Sequence, residues 1–422
     1  MTRSDKDNNM KGLALTLIMT LACSMAHPQE VRRMSCEECV DEALSNSLMM
    51  KREEKNVERA RVLTATAFDA PGLEVELSQD VTEGGGMDNG LSVSQEFDFP
   101  TLYMARRKAL KADYRVAQGE YVERRNELKG EVMSAYYSLI YLREKQGVME
   151  RQTAVYKEFA DMAEARYKAG EASRLEAINA QRLRDKGEKA LREVRVELAR
   201  CRMELSVLTG VEAVIEPLDE ELRLLEGPEL WAAEDLVPEQ TLRGQLIGLE
   251  VERSERMLNV ARQEFMPSLK LSATNQLLIS GFNPYHIERS RFEKGNFMGF
   301  SVGLAVPLFF GARRARLMAA RQDVEMAMTR KGEEAALMKK EYAEAMNELA
   351  EARKALDYHE HRGRETASEI VRLAEVSYQL GDIGYMEYIQ NMEVATDLRI
   401  EHLESMERYN QSVIKLKTIK GL

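Results

Sequence analysis

Proline is missing from two long tracts of this 422-residue sequence: its nine prolines stand at 28, 71, 100, 217, 228, 238, 267, 284 and 307, leaving 101–216 and 308–422 with none. A proline inside a helix costs about 3 kcal/mol, so both tracts are free to be helical throughout. Aromatic residues are scarce, at 6% with one tryptophan, while 31% of residues are charged, a balance that favours long helices over a compact mixed core. A positive excess is lacking too. With 60 basic against 71 acidic residues the net charge is −11, which argues against nucleic acid as a partner, since phosphate binding needs clustered cations. No Walker loop, dinucleotide-binding glycine pattern or GxSxG occurs, so no enzyme and no cofactor is expected.

The start of the chain, KGLALTLIMTLACSMA, combines Lys11, a short apolar run and a small-residue ending at Ser24-Met25-Ala26. This is an export signal, assigned to residues 1–26, with Met10 as an alternative start. Thr20-Leu21-Ala22-Cys23 is an imperfect lipoprotein site, so lipidation of Cys23 is the alternative to cleavage after Ala26. Beyond the signal no apolar stretch reaches the ~18 residues of a membrane helix; an exported chain of this kind is soluble or a β-barrel. Cys36 and Cys39 form a CxxC without a second half-site and read as an exposed pair at a helix start, whereas Cys201 falls on an apolar seam. His359 and His361 are two residues apart, which on a helix points their rings in different directions, so no metal site is expected. The 24 methionines form no dense cluster and read as core filler.

Apolar residues in the proline-free tracts recur at steps of three and four. Leu128, Val132, Ala135, Leu139 and Leu142 do so in the first, as do Leu191, Val194, Leu198, Cys201, Leu205 and Leu208. Met338, Tyr342, Ala345, Leu349, Ala352 and Leu356 do so in the second. That is a coiled-coil-like seam. The tracts are also copies. Gly170 and Gly381 are 211 apart, as are Gly210 and Gly421, while FPTLYMARR matches VPLFFGARR at an offset of 207. The first repeat is assigned to 27–245, with strands at about 73–80 and 91–99, a long helix 101–168, a helix 173–209 and an intermediate segment 211–245. The second covers 246–422, with strands at about 269–279 and 297–306, a long helix 308–380 and a helix 385–420.

The strand candidates alternate strictly. Leu73, Val75 and Leu77 alternate with Glu74, Glu76 and Ser78, and Met298, Phe300, Val302, Leu304 and Val306 with Gly299, Ser301, Gly303 and Ala305. Such alternation suits a membrane barrel or a soluble hairpin half-buried on helices. Four strands cannot close a barrel, because the smallest have about eight. In a membrane every edge must be paired, so several chains would have to share one barrel. Arg106-Arg107 and Arg313-Arg314, just past the strand-ending prolines, then fall where a barrel would meet the lipid head groups of its inner rim.

Taken together, the turns RYKAGEAS and SYQLGDIG, the two Pro-strand-loop-strand-Pro inserts and the duplication resemble the TolC-like outer membrane factors, the outer membrane efflux proteins. The resemblance spans nearly all the chain after the signal. It implies a mainly α protein with a small β part: a homotrimer whose twelve-stranded barrel in outer membrane lipid continues into a long periplasmic barrel of antiparallel helices, with 211–245 in an equatorial belt. It further implies a passive export conduit, coupled through a periplasmic adaptor to an inner-membrane transporter of an efflux or type I secretion system. The tips that meet the adaptor would be Gly170, Glu171, Ala172 and Ser173 in the first repeat, and Gly381, Asp382, Ile383 and Gly384 in the second. Glu387 and Gln390 match aperture positions, although glutamine at the second weakens any double acidic ring. Tyr378 matches a position that latches the entrance through the first repeat's carboxylate, here Glu176; Ile383 replaces the arginine of that latch. A periplasmic coiled-coil adaptor or scaffold is the alternative, disfavoured by the duplication and the four strands.

Overall fold

The computed structural model describes residues 31–81, 87–227, 236–279 and 296–421. The signal at 1–26 with Cys23 lies outside the described residues, as does 228–235 within the intermediate segment.

A short strand β1 (Val31–Met34) leads into helices α1 (Cys36–Asn46) and α2 (Leu48–Leu63), then strands β2 (Glu74–Val81) and β3 (Met87–Phe97). Helix α3 runs unbroken over Pro100–Lys168 and is followed by α4 (Arg174–Thr209) and β4 (Val214–Pro217). The second half repeats the plan with α5 (Leu242–Gln263), β5 (Ser268–Ile279), β6 (Asn296–Ala305), α6 (Gly311–Tyr358), α7 (Arg364–Leu380) and α8 (Tyr385–Lys420). At about 1.5 Å per residue α3 is about 100 Å long.

The chain divides into two compact units that cut across the repeats. One takes the chain up to Leu48, Leu128–Leu230 and Ala345–Lys415; the other takes Met49–Glu127, Trp231–Glu344 and Leu416–Leu422. In the first, the predicted seams are buried: Leu128 and Val132 at 0% exposure, Leu139 at 1% and Leu205 at 0%. β1 pairs in parallel with β4 there, and Tyr136 donates its hydroxyl to Asp219 at 2.7 Å, with the Met34 carbonyl oxygen 3.2 Å from the same hydroxyl. Helix α1 opens on a reciprocal cap, Ser35 accepting from the Glu38 amide while Glu38 accepts from the Ser35 amide.

The second unit holds an antiparallel sheet in the order β2-β3-β5-β6. Register puts Val75, Leu77, Leu91, Val93, Phe97, Leu269, Leu271, Phe300, Val302 and Leu304 on one face, and Glu74, Glu76, Ser92, Ser94, Glu96, Lys270, Ser272 and Ser301 on the other. The edges of the sheet are β2 and β6.

Several expectations need correction. Strand β3 begins at Met87 rather than 91. Asp88, Asn89 and Gly90 carry turn propensity, but their backbones are paired on both sides, with β2 and β5, and the ladder outweighs it. The long helix expected over 308–380 starts only at Gly311 and is broken by a π-helical turn, His359–Gly363. Its delayed start follows the stacking of Phe310 on Phe265, with centroids 6.1 Å apart. Four more residues separate Arg314 from Gly381 than Arg107 from Gly170. Most of the excess lies before Met338, since the buried seams match at an offset of 210, and the remaining residue falls in the stretch that holds the π turn. Cys39 is fully buried rather than exposed, Cys36 is half-buried, and both are free thiols. Burial pushes both thiols up to about 12, which disfavours the thiolate form.

Candidate functional site

Both glycine turns are built the same way. Gly170 and Gly381 each have φ of 79°, a left-handed conformation that strains any residue with a Cβ. At the first, the Gly170 amide donates to the Tyr167 carbonyl at 3.0 Å and the Glu171 amide to Arg166 at 2.9 Å. At the second, Gly381 donates to Tyr378 at 3.1 Å and Asp382 to Ser377 at 2.9 Å. This pair of bonds satisfies the last carbonyls of a helix and reverses the chain. A Cβ at either glycine would meet nothing within 4 Å, so both turns stand clear of neighbours. Glu171, Ser173, Asp382 and Gly384 are exposed, and Ala172 and Ile383 are half-buried.

The supports of the two turns differ. Ser173 caps α4 by accepting from the Glu176 amide at 3.2 Å, and Glu176 pairs with Arg166 at 3.3 Å. Around the second turn the support is aromatic. Tyr385 stacks on Phe159 of α3 at 4.3 Å, Tyr378 stacks on Tyr388 at 5.0 Å, and Tyr378 meets Tyr385 edge-on at 5.1 Å. Tyr385 and Tyr388 border a core of Tyr156, Phe159, Ala160, Ala163, Ala180, Leu183 and Ile389. Burial pushes the Tyr385 phenol above its usual range.

The expected Tyr378–Glu176 latch is therefore not made within the chain. Glu176 takes Arg166, and Tyr378 is held by rings that its own neighbours supply. Glu387 and Gln390 are both exposed on the first turns of α8. The aromatic cluster escaped the sequence reading because Tyr385 and Tyr388 follow a turn, where surface residues are the usual expectation. Exposed apolar side chains beside the turns were missed as well: Leu175 at 68%, Ile178 at 53% and Leu380 at 72% exposure. Their signal was available, as apolar residues off the buried seam.

The sheet is a separate candidate site. Its apolar face is bare, with Leu77 81%, Phe300 81%, Val302 75% and Leu304 63% exposed. The opposite face is polar and internally bonded: Lys270 reaches Glu74 at 3.3 Å, Ser94 donates to Glu74 at 3.1 Å, and the Ser272 and Ser301 hydroxyls are 2.6 Å apart. Arg106, at the base of β3, pairs with Asp98 at 2.6 Å. Among the described residues no helix is long and apolar enough to cross a membrane, and no three His, Cys, Asp or Glu side chains gather as a metal set.

A family model described as outer membrane efflux protein matches residues 39–211 and again 247–422. No curated protein sequence matches the chain. Solved structures similar to it include the Campylobacter jejuni CmeC outer membrane channel, with a TM-score of 0.74 at 14% identity over 92% of this chain and 85% of that one. The Vibrio cholerae outer membrane protein VceC gives 0.71 at 18% identity, covering 92% of this chain and 96% of that one. The open state of the Neisseria gonorrhoeae MtrE outer membrane channel gives 0.70 at 16% identity, covering 92% and 88%.

Proposed function

The chain belongs to the outer membrane efflux protein family, and from that premise we propose that it works as a homotrimeric channel, the outer membrane member of a tripartite efflux or type I secretion assembly. Family and fold are those of passive outer membrane channels rather than enzymes, and the alternative of a coiled-coil adaptor is set aside. One observation carries the trimer: a four-stranded sheet with two open edges, an exposed apolar face and a polar face lined by Glu74, Glu76, Glu96 and Lys270. Such a sheet is stable in a bilayer only when β6 of one chain pairs with β2 of the next, turning the apolar face to lipid and the polar face to a water-filled lumen. Three chains then supply twelve strands. Arg106-Arg107 and Arg313-Arg314 would lie near the head groups at the inner rim.

In this reading the helices extend into the periplasm. The exposed turns at Gly170, Glu171, Ala172 and Ser173, and at Gly381, Asp382, Ile383 and Gly384, meet a periplasmic adaptor that links the channel to an inner-membrane transporter. Leu175, Ile178 and Leu380 add apolar contact area for it. Glu387, repeated three times around the axis, lines the aperture with Gln390 beside it and favours cations. Glu176 and Tyr378 hold the two turns from within each chain, the first through an ion pair and the second through stacked rings. The test is made on the full chain purified in detergent. A heat-labile trimer that conducts ions across a planar bilayer is expected; a monomer that passes no current overturns the proposal.

A further inference from the structure

The π-helical turn at His359–Gly363 has no counterpart in α3, which is continuous. Turns of this kind recur at functional sites, because they displace side chains from the regular helical lattice. Here the displaced side chain is His359, 6% exposed, with its ring centre 6.2 Å from that of His402 on α8 and the planes inclined at 55°. The Nδ1 atoms of both rings are buried and have no hydrogen-bond partner. A buried nitrogen stripped of water without replacement is unfavourable, and two of them in adjoining rings require a reason.

Two further observations say what the reason is. A Cβ on Gly363 would lie 2.7 Å from His359 Nδ1 and 3.5 Å from its Cγ. The missing side chain keeps space open beside the orphaned nitrogen. In the first repeat, the position matching His402 at the offset of 211 is Leu191, buried beside Met149 and Val194. An aliphatic side chain therefore satisfies the packing, and a histidine is not required for it.

We propose that His359 and His402 form a two-imidazole site for a divalent d-block cation of the zinc, copper or nickel class, with Gly363 making room for it. Imidazole nitrogen suits these ions and not magnesium or calcium. A metal–nitrogen bond of about 2.0–2.1 Å places the ion about 3.2 Å from each ring centre, so two rings sharing an ion have centres about 5–6.4 Å apart, depending on the bond angle. The tetrahedral angle corresponds to about 5.2 Å, so the observed 6.2 Å calls for the two rings to close by about 1 Å on binding. Water completes the coordination. His361 takes no part: it is exposed and faces Asp357 at 3.2 Å. The ion ties α8 to the turn between α6 and α7, bracing the second hairpin where its long helix is interrupted.

The test equilibrates the detergent-purified full chain with zinc alone, removes the excess, and reads metal content by mass spectrometry together with the thermal midpoint. Wild type and His361→Ala should retain about one zinc per chain and melt higher with zinc than without. His402→Leu, which adopts the first repeat's residue, should keep its zinc-free midpoint and lose the ion. Gly363→Ala, favourable for helix propensity, should fold and bind at least tenfold more weakly. Zinc content equal in wild type and His402→Leu, or wild type with no zinc above background, overturns the proposal.

Discussion

The two hairpins share a backbone and differ in what holds it. In the first, α3 runs straight to Gly170 and α4 restarts on a Ser173 cap, with Arg166 and Glu176 paired across the turn. The cap and the ion pair at this turn both lie within ten residues of the glycine. In the second, a π turn interrupts the approach and glycine occupies the position before α8 where a capping side chain would sit. The rings of Tyr378, Tyr385 and Tyr388 hold the turn against Phe159, which is more than 200 residues away in sequence. Buried polar side chains, His359 and Asn410 among them, accumulate in the same arm. Duplication has kept the turn geometry and let the supports diverge. The first turn is closed by local bonds, although its helices share a core with Ile389, and the second relies on a ring contact from far along the chain.

Removing an aromatic ring tests this difference most severely. Tyr385→Ala deletes the stack on Phe159 and two ring contacts, with an expected loss of about 2–4 kcal/mol. Limited proteolysis should then cut near Gly381 first and leave the Gly170 turn intact. Equal cutting at both turns would break the comparison. The glycines themselves should behave alike. Gly170→Val and Gly381→Val each force a side chain into left-handed backbone at about 1–2 kcal/mol. Because neither Cβ has a neighbour within 4 Å, the two losses should agree. A gap between them of more than about 1 kcal/mol would mean that one turn is packed in the native assembly, since exposed strain alone cannot produce it.

A third difference lies in charge. Glu407 on α8 has its pKa raised by burial, against the opposing pull of hydrogen bonds from Ser138 and Gln411. A raised carboxylate contributes stability that is fully present below its unfolded-state pKa and is lost as pH rises through the folded value. Glu407→Gln should therefore raise the thermal midpoint at pH 7, with the gain vanishing in acid. A lowered midpoint at pH 7 would show that the carboxylate is bonded better than its surroundings indicate. The first repeat has no such group at the matching position, which is Val196.

Much of this was legible in the sequence, and the exceptions have physical reasons. Absence of proline outlined α3, α4 and α8, because a helix tolerates almost anything else. Gly170 and Gly381 declared the turns, because only a residue without Cβ sits easily at φ of 79°. Strand alternation marked the two faces of the sheet. The π turn was hidden: an extra residue shows in the changed offset, but where it is absorbed is decided by packing. The burial of Cys39 and the stacking of Tyr385 were hidden likewise, since both depend on partners far along the chain. The partners of Glu176 and Tyr378 within the chain were hidden for the same reason: Arg166 pairs with the first and Tyr388 stacks on the second, contacts that packing selects.

The smallest effect separates support from aperture. Glu176 and Glu387 sit at matching places, in the first turns of α4 and α8, and both gain a little from the helix N-terminus. Only Glu176 has a cross-turn partner, and with the two side chains 28% and 48% exposed that pair is worth about 0.2–1 kcal/mol and is screened by salt. Glu176→Gln should thus cost about 0.5 kcal/mol at low ionic strength and less at 1 M salt, with conductance and ion selectivity unchanged. Glu387→Gln should do the reverse, leaving stability within about 0.5 kcal/mol while weakening cation preference in planar bilayers. If Glu176→Gln alters selectivity and Glu387→Gln does not, the aperture belongs to the first repeat, because a ring of carboxylates acts on passing ions only from the face that lines the pore.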